Sequence, residues 1–409
     1  MKKIIENSIA SVFNAFNTSS EVSYQHFKLS SLSYKKYSHW IIENIGQYSL
    51  FGSNETRHID ELYINISLKT DLTRLTYKSD EVLSKLVLKS GNDDHSNISS
   101  TTLIEALNEK ISMLGNKQHH KYNNIAIVGT AGAGKTTTLR HLALFAAKGG
   151  EIRSKQRFPF FIALRELEEC NYSIISAMER YLDQFDINYS TKVVKHFIQK
   201  GTALILIDGL DEIPEKYQNA VYKEIIKIQT LSKKEFSLKN PHLASIICIT
   251  GRPYSFNREF SGFEVHETLP LDGSAKRDLI RQWFKPVSIE RGELLISHYD
   301  EQPQSLAIAS SPLMLSLICT LFNNNLEIPE EREELLTCCI DGLMGGWDYF
   351  RNICRENELS KFTIPKRKIM LTYLAAATYS HKKIIFSEED SEISDFYSMC
   401  VTKLQYESS

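Results

Sequence analysis

The sequence predicts an α/β protein in which a mostly parallel β-sheet is followed by a helical tail. Short apolar runs alternate with helical periodicity from residue 124 to residue 270. Strands this apolar are covered on both faces, and the alternation of strands with helices is typical of a parallel sheet. From Gly273 onward helical patterns dominate. The five predicted strands lie at residues 125–128, 158–164, 203–207, 245–250 and 263–269.

Changes in these patterns divide the chain into four predicted parts. They are a helical, aromatic-rich segment at 1–60, the sheet domain at 61–270, a small helical domain at 271–330 and a last part at 331–409. Early in the sheet domain, apolar and polar residues alternate across Glu61–Lys69, which predicts a further strand. Helical patterns at 102–114 and 363–378 predict helices, the second with Pro365 in its first turn.

The composition limits the classes of function that the chain can have. It has 409 residues, of which 42% are hydrophobic and 24% charged, and this is ordinary for a globular protein. A formal net charge of -2 gives no general preference for polyanions, so nucleic acid is not an expected partner. No apolar run approaches the roughly 20 residues that span a bilayer. Seven cysteines at irregular spacing favour a reducing, cytoplasmic compartment.

A glycine-rich loop carries the strongest chemical signal. Gly129–Thr136 fits the pattern GxxxxGK[ST], with an apolar strand before it and a helix after it. Backbone N–H groups in such a loop surround phosphate oxygens, while Lys135 reaches the terminal phosphates and the Thr136 hydroxyl ligates Mg²⁺. The residues predicted to bind the nucleotide here are Gly129, Thr130, Ala131, Gly132, Ala133, Gly134, Lys135, Thr136 and Thr137.

An acidic cluster follows the strand at 203–207. Because parallel strands end at one edge of the sheet, Asp208 is expected beside the phosphate loop, where its carboxylate would hold Mg²⁺ together with Thr136. Asp211 and Glu212 come on the same turn. Either one could polarise an attacking water or accept its proton, and the sequence leaves open which of them does so.

An arginine follows the strand at 245–250. Arg252 lies at the same predicted edge, and Pro253 stiffens the turn. A guanidinium in this position can contact the terminal phosphate oxygens and distinguish three phosphates from two. We therefore group Arg252 with Asp211 and Glu212 as the predicted catalytic residues.

The order of these motifs resembles the NACHT group of signal-transducing (STAND) ATPases, which includes relatives of animal NOD-like receptors and of bacterial antiphage proteins. In chain order, the matching stretches are GTAGAGKTT, FPFFIALREL, IDGLDE, TGRP and SSPLMLSLI. The likeness covers roughly residues 60–395. A small residue close behind the metal-binding aspartate is typical of the group, and Gly209 takes that place.

The resemblance implies a P-loop NTPase fold of the AAA+/STAND type, followed by small helical and winged-helix domains, the latter at 331–409. It implies that Pro312 touches the adenine ring and that the ligands are ATP or ADP with Mg²⁺. It further implies a slowly hydrolysing switch that forms homo-oligomers on activation, in antiphage defence, with a phage or host protein as trigger. The family's histidine motif beyond the winged helix has no counterpart here.

Two other functions are weighed against the switch. A STAND-type transcription regulator would bind DNA through its winged helix, and Lys366–Lys368 is the one modest basic cluster for that role. A small-molecule phosphotransferase would need a substrate pocket with convergent polar groups, and the sequence contains no such constellation.

Overall fold

The computed structural model describes most of the chain between residues 31 and 380. The described ranges are 31–49, 56–70, 101–112, 124–185, 190–236, 244–256, 263–301, 309–324, 328–329, 331–341 and 363–380. The predicted winged-helix part falls largely outside them, and it remains a prediction.

The strands form a two-stranded hairpin and a six-stranded mixed sheet. They are β1 Gln47–Ser49, β2 Thr56–His58, β3 Leu68–Thr70, β4 Asn124–Val128, β5 Phe158–Ala163, β6 Ala203–Asp208, β7 Ile246–Gly251 and β8 Phe263–Thr268. The sheet has the order β3-β8-β4-β7-β6-β5, and only the edge strand β3 runs antiparallel to its neighbour. Every residue of β4, β5, β6 and β7 is buried, so both faces of the central sheet are covered.

Twelve α-helices lie in the described residues. They are α1 Ser31–Trp40, α2 Ile59–Leu62, α3 Leu103–Ser112, α4 Lys135–Ala147, α5 Ile174–Asp183, α6 Ser190–Gln199, α7 Glu215–Phe236, α8 Gly273–Phe284, α9 Ile289–Glu301, α10 Pro312–Asn323, α11 Arg332–Asp341 and α12 Ile364–Ser380. A π-helical turn at Ile41–Ile45 continues α1, and 3₁₀ turns follow β5, β6 and β7.

The predicted sheet is confirmed, with one local correction. All five apolar runs form strands, and all five pair in parallel. The strand predicted at Glu61–Lys69 is wrong over most of its length, because α2 ends at Leu62 and only Leu68–Thr70 joins the sheet. The alternation there has another physical cause, since the side chains pack against two different hydrophobic clusters.

Helix α1 packs onto the edge of the sheet at β5. Tyr37 is fully buried, and its ring stacks on Phe158 at a centroid distance of 4.5 Å. Its hydroxyl donates a hydrogen bond to the carbonyl oxygen of Pro159 at 2.6 Å. A residue before the predicted boundary at 60 therefore belongs to the core of the sheet domain.

A second hydrophobic cluster lies next to the sheet domain and is built mainly from α8, α9 and α10. Trp283, Phe284 and Leu315 are among its buried members. Asp272 caps α8 by accepting a hydrogen bond from the backbone N–H of Ala275 at 2.8 Å. This small helical unit supplies one side of the site described next.

Among the described residues, no helix is both long enough and apolar enough to cross a membrane.

Candidate nucleotide-binding site at the phosphate loop

The predicted phosphate loop connects β4 to α4 at the carboxyl edge of the sheet. Gly132 and Gly134 adopt left-handed backbone conformations with φ of 76° and 87°, and Gly134 is the N-cap of α4. A Cβ atom at Gly132 would lie 2.7 Å from the Cβ of Leu313 in α10. The backbone N–H of Leu313 also donates to the carbonyl oxygen of Gly132 at 3.3 Å. The loop is therefore in direct contact with the small helical unit.

Lys135 holds its charge inside the loop. Its Nζ donates to the carbonyl oxygens of Gly129 and Thr130, at 2.8 Å in each case. Burial lowers the pKa of Lys135, and the nearby carboxylate of Asp211 opposes that effect. A partly buried ammonium group beside carbonyl oxygens is a suitable partner for the anionic oxygens of a phosphate.

Three side chains from three elements meet at the end of β6. The Thr136 hydroxyl donates to Asp208, with its Oγ1 lying 3.1 Å from Oδ1 and 2.9 Å from Oδ2. Thr250 on β7 donates to Asp208 Oδ1 at 2.6 Å and accepts a hydrogen bond from the backbone N–H of Gly209 at 3.0 Å. Because β7 lies between β4 and β6, Thr250 lies between the strand that ends at Asp208 and the strand that leads into the phosphate loop. Hydroxyl and carboxylate oxygens are the ligand types that Mg²⁺ requires, so this donor set fits the ion.

The structure distinguishes between the two predicted acidic residues. The carboxylate of Asp211 accepts the backbone N–H of Arg252 at 3.2 Å, and it forms an ion pair with Arg252 Nε at 3.0 Å. Glu212 is less engaged, because its nearest cation is Arg165 Nη1 at 3.9 Å and its Oε2 accepts no hydrogen bond from the described residues. Burial raises the pKa of Glu212, and the negative charge of Asp208 adds to that effect.

Gly209 determines where the Glu212 side chain lies. It adopts a left-handed conformation with φ of 81°, and a Cβ atom there would lie 2.8 Å from both Cδ and Oε2 of Glu212. The backbone N–H of Glu212 donates to the carbonyl oxygen of Gly209 at 2.9 Å. The glutamate thus folds back over the glycine, which gives a steric reason for a residue without a side chain at this position.

A cavity of about 220 Å³ adjoins the phosphate loop and the first turn of α4. Pro312, the first residue of α10, lines it together with Leu313 and Ser316, and Trp283 of α8 closes another side. The Trp283 indole N–H has no hydrogen-bond partner in the described part of the chain. An apolar cavity beside a phosphate loop has the chemistry to receive the nucleoside half of a nucleotide.

The remaining wall comes from a part of the chain to which sequence reasoning assigned no site residue. The lining residues that precede β3 are Tyr48, Ile59, Leu62, Tyr63, Ile64 and Ile66. They lie more than sixty positions before the loop, and four of them fall within the strand that the sequence predicts at Glu61–Lys69. Sequence reasoning also misses Thr250, for which the available signal is its position at the end of an apolar strand.

The parallel sheet, the phosphate loop after its central strand and the aspartate at the end of β6 define a P-loop NTPase fold. Residues 123–286 match the family model of the NACHT domain. No curated protein sequence matches the chain. The family match covers the sheet domain from β4 onward and extends through α8.

Two solved structures are similar over part of the chain. Domain III of the Thermotoga maritima replication initiation protein DnaA is 15% identical, with a TM-score of 0.31, and the alignment covers 57% of this chain and 88% of that domain. A STAND protein with a tetratricopeptide repeat sensor from Pyrococcus horikoshii is 18% identical, with a TM-score of 0.31. That alignment covers 66% of this chain and 34% of the Pyrococcus protein, so this chain spans about a third of its length.

Proposed function

We propose that the protein is a NACHT-type nucleotide switch that binds ATP or ADP with Mg²⁺ and hydrolyses ATP slowly. One observation carries the proposal, namely that Lys135 and Thr136 line a cavity which the small helical unit closes, while Thr136 is hydrogen bonded to Asp208. The NACHT match over residues 123–286 supports the same assignment.

Each part of the site has a distinct task in binding. The N–H groups of the loop and the start of α4 face the phosphates, and Lys135 neutralises their terminal charge. Thr136 and Asp208 would hold Mg²⁺, which supplies charge neutralisation between the phosphates when it is bound. Pro312 and the apolar wall would enclose the base. The nucleotide is thus bound by charge at one end and by apolar contact at the other.

For hydrolysis we assign the general base to Glu212. Its raised pKa and its Oε2 without a described hydrogen-bond donor suit a group that accepts a proton. The oxygen of a water molecule attacks the terminal phosphorus, the bond to the bridging oxygen breaks, and the proton of the water passes to Glu212. Asp211 instead holds Arg252, whose guanidinium contacts the terminal phosphate once that ion pair rearranges.

The switch follows from the number of elements that touch one ligand. The cavity is lined by the phosphate loop, by α8 and α10 of the small helical unit and by the segment before β3. A ligand that binds one arrangement of these parts more tightly shifts the population toward it. The relative positions of these parts therefore depend on whether the bound nucleotide carries two or three phosphates.

The test is titration of Lys135→Ala with a fluorescent ADP or ATP analogue. We expect the affinity to fall at least a hundredfold, because a charge-assisted phosphate contact is lost. Lys155→Ala is the matched control, since Lys155 is also a partly buried lysine that donates to a carbonyl oxygen, that of Lys200 at 2.9 Å. Its affinity should stay within twofold of the wild type. Unchanged nucleotide affinity in Lys135→Ala refutes the assignment.

The biological part of the proposal is a role in antiphage defence with self-association of the activated form. Small-angle scattering with ADP and with a non-hydrolysable ATP analogue tests self-association, and growth of the particle with the ATP analogue is expected. Phage plating on cells that express the wild type or Lys135→Ala tests the role in defence. Equal plating efficiency on both, and on cells without the protein, contradicts that role.

A further inference from the structure

One segment before the NACHT match connects the two hydrophobic clusters across the cavity. We call it the clasp, and it consists of residues 47–49 and 56–66, which are the β1–β2 hairpin, α2 and the extended chain after it. Ile66 belongs to the cluster of the sheet domain, whereas Tyr48, Leu62 and Ile64 pack against the cluster of the small helical unit. The clasp therefore contacts both parts that the nucleotide would touch.

The clasp is firmly attached to the helix that follows the phosphate loop. Tyr63 stacks on His141 of α4 with a centroid distance of 3.6 Å and an angle of 8° between the rings. Asp60 forms an ion pair with Lys148 near the end of the same helix. Arg140 Nη1 donates to the carbonyl oxygen of Gln47 at 3.3 Å. These contacts lie along one side of α4 and attach the clasp to the sheet domain.

The other side of the clasp is held to the small helical unit by a buried arginine. Arg57 Nη1 donates to the carbonyl oxygen of Trp283 at 2.8 Å, and the guanidinium carbon lies 5.7 Å from the centre of the Trp283 ring. Trp283 is in the last turn of α8, where carbonyl oxygens have no partner within the helix and a cation is favourable. Arg57 is 7% exposed and Trp283 is 4% exposed, so the contact is made away from solvent.

The same pair of strands brings this contact to the cavity. Tyr48 on β1 is directly opposite Arg57 on β2, and residues in opposite positions of an antiparallel pair lie on the same face. Tyr48 and Trp283 both line the cavity. The small helical unit also touches the phosphate loop where the Leu313 N–H meets the Gly132 carbonyl oxygen. The small helical unit is thus held at two places beside the cavity. The contact at Gly132 lies at the phosphate loop, whereas the contact at Arg57 does not.

We propose that Arg57 is a positioning residue for the bound nucleotide, holding Trp283 and the end of α8 over the nucleoside. The inference rests on the proposed function, because it takes the cavity as the nucleoside site. Arg57 does not line the cavity, so it would act on the ligand only through Trp283. It keeps the closed arrangement in place, so its loss accelerates the escape of the nucleotide and leaves the phosphate contacts intact.

The experiment measures the dissociation rate of a fluorescent ADP analogue that is displaced by excess unlabelled ADP. Arg57→Met keeps the apolar stem and removes the guanidinium, and we expect release to become about tenfold to a hundredfold faster. The association rate should change less than threefold, because the loop and Lys135 are unaltered. Arg57→Lys keeps a donor for the Trp283 carbonyl oxygen and should release ADP at an intermediate rate.

The matched control is Arg281→Met. Arg281 is on α8, the helix that carries Trp283, and it forms an ion pair with Glu293 at 2.9 Å. Its side chain is 51% exposed and does not line the cavity. Its release rate should stay within twofold of the wild type. Melting temperatures without nucleotide show whether each variant folds, and Arg57→Lys serves as the test if Arg57→Met does not.

The outcomes separate the two proposals. An unchanged release rate in a folded Arg57 variant, with or without a lower melting temperature, means that Arg57 is merely structural and overturns the inference. An equal rise of association and release overturns it as well. In both cases tight binding by the wild type, lost in Lys135→Ala, leaves the proposed function standing. If the wild type binds no nucleotide, both proposals fall together.

Discussion

Replacement of Gly209 by alanine tests the proposed link between backbone conformation and hydrolysis. An alanine at φ of 81° costs about 1–2 kcal/mol relative to glycine, because its Cβ crowds the following carbonyl oxygen. The new Cβ would also lie 2.8 Å from the Glu212 carboxylate carbon. An ordinary contact needs about 3.5 Å, so the carboxylate must retreat by roughly 0.7 Å.

The two effects have different readouts. The backbone cost lowers the free energy of unfolding, and for a domain of this size the melting temperature should fall by about 2–8 °C. Displacement of the proposed general base by most of an ångström should slow single-turnover ATP hydrolysis by about tenfold to a hundredfold. The affinity for ATP should change less than threefold, because Lys135, Thr136 and Asp208 keep their positions.

Gly273→Ala is the control for a glycine-to-alanine change as such. Gly273 is the first residue of α8, and the nearest atom to its new Cβ would be the flexible Arg277 Nη1 at 3.2 Å. We expect equal or slightly higher stability and an unchanged rate of hydrolysis. A Gly209→Ala protein that melts and hydrolyses like the wild type would refute our account of the Asp208–Glu212 turn.

Two further predictions concern the groups around Asp208. Thr250→Val leaves the Gly209 N–H without its partner and removes one of the two hydrogen bonds to Asp208 Oδ1, the other being that from Thr136. Chemical denaturation should therefore show a loss of about 2 kcal/mol, against no measurable loss for the exposed Thr230→Val. The second prediction follows from the pKa of Glu212, which is raised in the folded state. The wild type should therefore lose stability relative to Glu212→Gln as the pH rises from 4.5 through that raised pKa. Above the raised pKa the loss of stability should level off. Melting curves of both proteins from pH 4.5 to 8 measure that difference, and a difference that does not vary with pH contradicts the assigned shift.

The sheet and the phosphate loop could be predicted because their signals are local. Burial of both faces leaves continuous apolar runs, and the loop pattern Gly129–Thr136 stands between one such run and a helix. That Asp208 would meet Thr136 followed from the rule that parallel strands end at the same edge, and the two side chains are hydrogen bonded. The predicted helix at 363–378 is observed as Ile364–Ser380.

The cavity wall could not be predicted, because it depends on contacts between distant parts of the chain. Ile64 and Ile66 have the same residue type and similar neighbours in sequence, yet Ile64 packs against the small helical unit and Ile66 lies in the core of the sheet domain. Local alternation is the same for a paired strand and for an extended chain between two clusters. The different roles proposed for Asp211 and Glu212 also depend on distant residues, because Asp211 pairs with Arg252 and Glu212 with Arg165.

The short antiparallel strand β3 has a practical consequence for anyone who expresses part of this protein. It covers the outer edge of β8, where Thr70 lies opposite His266 and Leu68 opposite Thr268. A fragment trimmed to residues 123–286 would lack β3 and would leave the amide and carbonyl groups of β8 exposed along a bare edge. Such edges pair with strands from other molecules, so we expect that fragment to aggregate. A fragment that begins before α1 includes β3, and the edge of β8 stays paired.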